Sequence, residues 1–568
     1  MNLLATLDWA VVALYFAVVF GVAVVATLRE RRAAAAHGGE DAADYFLAGR
    51  NVGWFVVGAS LFSSNIGSEH LVGLAGSGAT SGVAPGQFEV LASLILLLLG
   101  WVFVPFYLRS GVFTMPEFLE RRYSSGARWY LATVSILAYV LTKISVTIFA
   151  GAVVFRAVGV PFWTGALIVV AATGAYTVFG GLRAVLYTDL LQTFVLIGGA
   201  VAVTVVGLSA VGGWGAMAET VGPDFLDMWK PMTDPAFPWT GILFGAPILG
   251  IWYWCTDQFI VQRTLSARSV DEARRGTIFA GFLKVLPLFI FVVPGLVAAA
   301  LVEQGRLALP LAADGTPDFN ASLPALTATL LPVGLRGLVV AGLLAALMSS
   351  LSSVFNSSST LITWDVYKKL NPAASERRLV WVGRLSTVAL TVLGLAWIPF
   401  VEAAEGGLYV YIQSVQAYIS PPIAAVFLFG LLWPRANAAG ALASLLVGLA
   451  LGVGRLVLEV VNGPGGDGLA AGSLVETLAE ANFLHVAVGL FLACTAVLVV
   501  VSLATAPPPA AQIAGLTFAT ADQPTAGGPA ETPVPETVTR SDAGWRRVDL
   551  ALTAALVLCV LAVWAVFS

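Results

Sequence analysis

Residues 59–82 read ASLFSSNIGSEHLVGLAGSGATSG. They begin inside an apolar run at about 53–75, long enough to cross a bilayer, which takes about 20 mostly apolar residues. The middle of that run, Ser63-Ser64-Asn65-Ile66-Gly67-Ser68-Glu69-His70, is nevertheless polar, and Gly-rich sequence follows it. Irregular polar backbone at membrane depth is tolerated only where protein buries it or where it lines a water-filled cavity. The stretch therefore predicts a spanning helix interrupted in mid-membrane.

Working outward, fourteen runs of spanning length are found, at about 7–28, 53–75, 85–107, 129–156, 160–179, 185–212, 240–262, 276–301, 334–361, 380–402, 406–433, 438–461, 482–504 and 548–567. The seventh carries a second interruption, Trp252-Tyr253-Trp254-Cys255-Thr256-Asp257-Gln258. The interrupted runs are the second and the seventh, so each opens a set of five. Paired broken helices in corresponding places of two halves point to a secondary transporter with its binding site near the bilayer midplane.

Composition agrees. Of 568 residues, 58% are hydrophobic and 11% charged, against about 25% charged in soluble chains; mean hydropathy is +0.88. A soluble enzyme, a nucleic-acid binder and a disordered chain are excluded. Three cysteines in apolar runs give no disulfide framework and no CxxC metal site. The first run has no positive charge before it and RERR (29–32) after it, the pattern of an anchor rather than a cleaved signal peptide. With alternating sides, 22 of the 29 Lys and Arg fall on one face and 5 on the other, with Lys143 and Lys284 inside spans. That asymmetry predicts both termini outside. Arg outnumbers Lys 24 to 5, a bias of GC-rich genomes that suggests a bacterial inner membrane.

The expected organisation is an extra helix and cytoplasmic loop (1–52), a core (53–212 and 240–433), two peripheral helices (434–504) and a last helix (548–568). The Pro-, Gly- and Thr-rich segment 505–547 reads as a flexible cytoplasmic linker.

No GxxxxGK[ST], HExxH or GxSxG motif occurs, and the three histidines form no cluster with cysteine. ATP-driven transport, catalytic zinc and an intramembrane enzyme are thus poorly supported. What remains are ionisable groups inside spans: Glu69, His70, Glu89, Lys143, Asp189, Asp257 and Lys284. A charge at the bilayer centre costs at least about 2.5–3.5 kcal/mol, so such groups face a cavity or a partner. Glu89 and Lys284 lie deep and read as lining a substrate path. Asp257, close to Arg263 at the inner end of its span, reads as a helix-helix ion pair or a side chain snorkelling from the span end, and Lys143 fits either that or the path.

In the ninth run, Ala346, Ser349, Ser350, Ser352 and Ser353 recur at three- and four-residue spacings, which stacks them along one helix face. Ranked hydroxyls and carbonyls suit a hard monovalent cation, with opposing oxygens from the backbone near Ser63 and Ile66. The plainer alternative is that small serines let helices pack closely and bond back to carbonyls.

These stretches resemble the sodium/solute symporter family, and within it the sodium-glucose and sodium/myo-inositol cotransporters. Besides 59–82, the resemblance rests on FTMPEFLERRY (113–123), GGLRAVLYTDLLQ (180–192), WYWCTDQFIVQRTLSA (252–267) and FLKVLPLFIFVVPG (282–295). It continues through LMSSLSSVFNSSSTLITWDVYKK (347–369), YIQSVQAYISPPIAAVFL (411–428) and ATAPPPAAQIAGLTF (504–518).

The resemblance implies an all-α polytopic membrane protein of about fourteen spans with a five-plus-five inverted-repeat, LeuT-type core. It implies symport of Na+ with a neutral hexose such as glucose or galactose, by alternating access and with no organic cofactor. A sodium-coupled polyol carrier and an uncoupled sugar sensor or facilitator are the alternatives. The implied substrate-binding residues are Asn65, His70, Phe88, Glu89, Tyr253, Trp254, Lys284 and Gln413, with Tyr253 part of an inner gate. The implied sodium ligands are Ser63, Ile66, Ala346, Ser349 and Ser350, with Ser64, Asp189, Ser352 and Ser353 for a second ion. Where relatives place Thr, Asn or Ser on the sugar the chain has Gly250. Val90 stands in place of a common Trp and Val410 in place of an acidic residue. These departures weaken glucose specifically and leave the cation ligands untouched.

Overall fold

A computed structural model describes residues 4–568 except 37–40, 68, 145–146, 149–150, 152–158, 312–314, 403–407, 464–467, 471 and 525–542. Among the described residues the chain is helical, with isolated bridges and no β-strand.

Ten helices are long and apolar enough to cross a membrane. One of them, α7 (Phe162–Val211), covers both the fifth and the sixth expected spans. At 1.5 Å per residue its 50 residues would extend about 75 Å, more than twice the hydrocarbon thickness. The break comes at Gly181, whose φ of +53° and ψ of −156° no helix contains. A Cβ there would lie 2.5 Å from the Tyr45 carbonyl oxygen, so glycine is required for the close approach as well as for the turn. Among the described residues the second and seventh expected spans are interrupted and the fourth is described only in part, so ten long helices stand where fourteen spans are expected. Part of the fourth, with Arg156, lies outside the described residues.

Both expected interruptions are present. The second span is α2 (Trp54–Asn65), ended by Ile66 in an extended conformation (φ −78°, ψ 94°), then a wide π-type turn Glu69–Leu74 and α3 (Ala75–Ser81). The seventh runs through α8 (Ala246–Gly250) and a π-type turn Ile251–Thr256 to Asp257, also extended (φ −78°, ψ 126°), and resumes as α9 (Gln258–Leu265). A helix end leaves up to four carbonyls or N–H groups without helical partners. The two breaks thus place free backbone polar groups in mid-membrane. Asp257 uses its own carboxylate to accept from Phe259 N–H at the start of α9.

Around these stand α1 (Thr6–Ala36), α4 (Gly86–Leu98), α5 (Met115–Arg122), α6 (Ser125–Ala138), α10 (Val270–Leu283) and α11 (Leu335–Thr360). The remaining long helices are α12 (Glu376–Glu402), α13 (Leu408–Leu432), α14 (Ala438–Asn462), α15 (Phe483–Ala504) and α16 (Ala543–Val566). Helix α11 is buried along nearly its whole length, which fits its serine-rich, small-residue surface. The terminal helix α16 lies on α10 and α4: Arg275 pairs with Asp549 at 3.0 Å, and Trp564 Nε1 donates to Gln87 Oε1 at 2.8 Å.

The segment expected to be a flexible linker begins otherwise. Residues 505–524 form turns against the body, with Leu516 buried and Gln512 Nε2 donating to the Tyr123 carbonyl at 2.7 Å. Its Leu and Phe residues have an apolar surface to cover, which a count of Pro and Gly does not reveal. Residues 525–542 lie outside the described residues.

Candidate functional site

Helices α4, α10 and α13 and the two broken spans line a cavity. Helix α4 supplies Phe88, Glu89, Leu91, Ala92 and Ile95; the seventh span supplies Ala246, Leu249, Gly250, Tyr253 and Trp254. Asn65 and His70 come from either side of the second span's break, Lys284 from the end of α10, and Gln413 and Gln416 from α13. All eight residues expected to bind substrate therefore meet on one cavity. The side chain of Glu69 lies outside the described residues.

Asn65, His70, Glu89, Tyr253 and Lys284 form one network. Lys284 Nζ donates to Glu89 Oε2 and, at 2.5 Å, to Asn65 Oδ1. Glu89 Oε1 lies 3.3 Å from His70 Nε2. Asn65 Nδ2 donates to the Tyr253 hydroxyl at 3.0 Å. Lys284 is 1% exposed and Glu89 4%, a burial that neither charge would tolerate alone but which a hydrogen-bonded pair can. The rest of the lining is largely aliphatic: Leu91, Ala92, Ile95, Ala246 and Leu249. The rings of Tyr253 and Trp254 stand 5.2 Å apart beside it. At Gly250 a Cβ would come within 3.0 Å of Ile95 Cγ1, so the lining there is closely packed. A net-neutral set of donors and acceptors facing an aromatic and aliphatic wall suits a neutral, polyhydroxylated ring.

A second cluster joins α2, α7 and α11. Ser63 Oγ donates to Ser349 Oγ at 2.8 Å, and Ser349 Oγ donates to Asp189 Oδ1 at 2.6 Å. Ser350 Oγ donates to the Ser64 carbonyl at 3.2 Å, one of those freed by the break at Ile66. Ala346 is fully buried on the same helix. Asp189 Oδ2 accepts from Ser60 at 2.5 Å and Ser64 at 3.1 Å, and Ser64 Oγ is 2.8 Å from Ser353 Oγ. Ser352 stands apart from this group, its hydroxyl donating back to the Ser349 carbonyl at 3.0 Å. Hydroxyl, carbonyl and one carboxylate oxygen make an all-oxygen donor set, the chemistry of a hard cation. The plainer role of serines bonded back to their own helix holds for Ser352 and Ser357, but not for Ser63, Ser64 and Ser349.

The expected pairing of Asp257 with Arg263 is not formed. Asp257 Oδ2 instead pairs with Lys143 Nζ at 2.8 Å, and the Tyr139 hydroxyl donates to Oδ1. Arg263 turns to Ser64 Oγ at 3.0 Å and to the Phe259 carbonyl. Asp257 lies in the extended break before α9, while Arg263 is inside that helix and faces Ser64. The same ammonium lies over the Tyr253 ring at 4.5 Å and the Phe259 ring at 4.0 Å. A smaller cavity beside this group includes Tyr139, Lys143, Trp252 and Gln416, so Gln416 borders both.

Sequence reasoning missed Ser60, Arg263 and Gln416. Ser60 and Gln416 had a signal, one turn before Ser64 and one turn after Gln413 on the same faces. Arg263 had none, because its partner comes from another helix.

Comparison with known proteins agrees with this geometry. The profile of the sodium:solute symporter family matches residues 45–448. Sodium/glucose cotransporter 1 of Oryctolagus cuniculus is 40% identical over 533 residues, 88% of this chain and 79% of its own. The sodium/myo-inositol cotransporter of Homo sapiens is 39% identical over 551 residues, 91% and 76% of the two chains. Among solved structures, a Na+-coupled sialic acid symporter in a substrate-bound outward-open state has a TM-score of 0.74 at 22% identity, covering 89% of this chain and 99% of that one. Mhp1, a nucleobase-cation-symport-1 family transporter, has a TM-score of 0.53 at 14% identity over 83% and 98%. At such identities these two speak for the fold, the inverted-repeat, LeuT-type architecture that the resemblance implies. With two broken spans in register, an oxygen cluster at the first break and a family match across 45–448, this multi-pass membrane chain belongs to the sodium:solute symporter family.

Proposed function

We propose that the chain is a secondary active symporter that couples inward Na+ flow to uptake of a neutral sugar or polyol, and is not an enzyme. The observation that carries this reading is the single cavity bordered by Asn65, His70, Phe88, Glu89, Tyr253, Trp254, Lys284 and Gln413. It is supported by sodium/glucose and sodium/myo-inositol relatives at about equal identity. Glu89, Lys284, Asn65 and His70 already satisfy one another; a ring of hydroxyls that both donate and accept can enter that network without stranding either charge. A carboxylate substrate would face Glu89.

Sodium is proposed to sit between the break at Ile66 and α11, on Ser63, Ile66, Ala346, Ser349 and Ser350. Ser64, Asp189 and Ser353 are the proposed frame of a second station; Arg263 already brings a positive charge to Ser64. A cation that joins α2 to α11 shifts the conformational equilibrium only by its differential affinity for the two arrangements. The membrane potential then adds about 2.3 kcal/mol per charge per 100 mV. We further propose residues 53–433 as the moving core, both termini outside, and a bacterial inner membrane as the location.

Glucose and myo-inositol are separated by nothing in the polar network, while the closely packed Gly250 favours a substrate without a polar group at that wall. The test is uptake into proteoliposomes under an inward sodium gradient, with D-glucose, D-galactose, D-mannose, myo-inositol and L-proline. Concentration of a sugar or polyol above equilibrium, lost in choline, supports the proposal. Sodium-independent equilibration would reveal a facilitator, and accumulation of proline alone would overturn the substrate class.

A further inference from the structure

We infer that Tyr15, on the N-terminal helix outside the repeat core, is a positioning residue for the cation cluster. Its hydroxyl accepts from Gln192 Nε2 at 3.2 Å and donates to Met348 Sδ at 3.7 Å. Gln192 follows Asp189 by three residues on α7, which sets the two on one face. Met348 immediately precedes Ser349 on α11, and its carbonyl is also held by Tyr176 Oη at 3.1 Å. One buried phenol on α1 thus ties together the neighbours of Asp189 and Ser349, the two residues whose own bond joins α7 to α11.

Helix α1 grips α11 a second time, at its beginning. Asp8 is fully buried; its Oδ1 accepts from Gly334 N at 2.7 Å and Gly337 N at 2.9 Å, and its Oδ2 from Ala5 N at 2.9 Å. A carboxylate there satisfies N–H groups that have no intrahelical partner and meets the positive end of the helix dipole. The backbones touch because residue 337 is glycine: a Cβ would lie 2.6 Å from the Asp8 carbonyl oxygen. The two grips are about 20 Å apart along α11.

Hydroxyl ligands discriminate between cations only when held to within about 0.5 Å. The serines of α11 and the carboxylate of α7 are on separate helices, joined directly by Ser349–Asp189 and Tyr176–Met348, and a third element that touches both steadies their spacing. Tyr15 supplies it, with Asp8 fixing the axial position of α11. This inference rests on the proposed reading that the cluster holds sodium.

The test titrates the purified full-length protein with NaCl at constant ionic strength against choline chloride, and takes the sodium midpoint as the apparent Kd that fits the logarithmic rise of Tm with sodium. Tyr15→Phe keeps the ring and removes both bonds; Met348→Leu keeps the volume and removes one acceptor. Tyr15→Phe is expected to raise the sodium midpoint about three- to tenfold, and Met348→Leu to raise it less, in the same direction. A merely structural role would lower Tm in choline chloride and leave the midpoint where it was; that result overturns the inference. Should Tyr15→Phe fail to fold, Met348→Leu decides by the same measure. A wild-type protein with no sodium-specific rise overturns the cation reading itself, an outcome distinct from an unshifted midpoint in the variants.

Discussion

Ser349 Oγ donates to Asp189 Oδ1 at 2.6 Å, linking α11 to α7. The same oxygen accepts from Ser63 at 2.8 Å, so the hydroxyl of one residue is the meeting point of three helices. Asp189 keeps Ser60 and Ser64 as partners when Ser349 is lost.

Ser349→Ala should therefore fold, yet lose the cation. Ligand at a hundred times its Kd stabilises a protein by about 2.7 kcal/mol. Wild-type Tm should rise with NaCl relative to choline chloride, and the rise should vanish in Ser349→Ala and in Ser350→Ala. Sodium-driven accumulation should vanish with it. Undiminished accumulation by Ser350→Ala would refute the assignment of the site.

Glu89 and Lys284 give a different pattern. Removing one partner of a buried pair leaves an uncompensated charge and costs about 3–5 kcal/mol, while replacing both with apolar groups is often near neutral. Glu89→Gln should lower Tm and abolish uptake. Glu89→Leu with Lys284→Met should recover most of the Tm and none of the uptake. Thermal unfolding in detergent together with transport assays checks both halves. Uptake by the double variant would remove the pair from the substrate site.

Tyr253→Phe deletes the acceptor of Asn65 Nδ2 while the ring remains. Asn65 stays bonded to Lys284 through its other atom, so of these two bonds one is lost, worth about 0.5–1.5 kcal/mol. The expected result is a substrate half-saturation about two- to tenfold higher at saturating sodium, with the sodium midpoint unchanged. An unaltered half-saturation would show that this hydroxyl lies off the substrate path.

What could be read from the chain follows from what is local. Ser63–His70 and Trp252–Gln258 broadcast their breaks because polar residues inside apolar runs have few physical explanations. The convergence of Glu89, Lys284, Asn65 and Gln413 was legible through resemblance, since they come from four separate spans and no spacing relates them. The partner of Asp257 was not legible: Lys143 is 114 residues away, whereas Arg263 is near in sequence but faces Ser64. In sequence Tyr15 is one aromatic among others in an apolar run. Only packing reveals that Gln192 and Met348 meet it.

Trp564 Nε1 donates to Gln87 Oε1 at 2.8 Å, and Gln87 directly precedes Phe88 and Glu89. The last helix thus touches the base of the helical turn that presents the cavity's carboxylate. Met228 N–H donates to the Phe567 carbonyl at 2.8 Å, so the tail is anchored independently of the tryptophan. Trp564→Phe should leave α16 docked and loosen only Gln87. Loss of one hydrogen bond predicts about a two- to tenfold rise in half-saturating substrate, with maximal rate and sodium midpoint near wild type. Uptake kinetics for the best substrate of the panel measure this directly. Equal losses in maximal rate and in protein recovered would instead mark Trp564 as a purely structural contact.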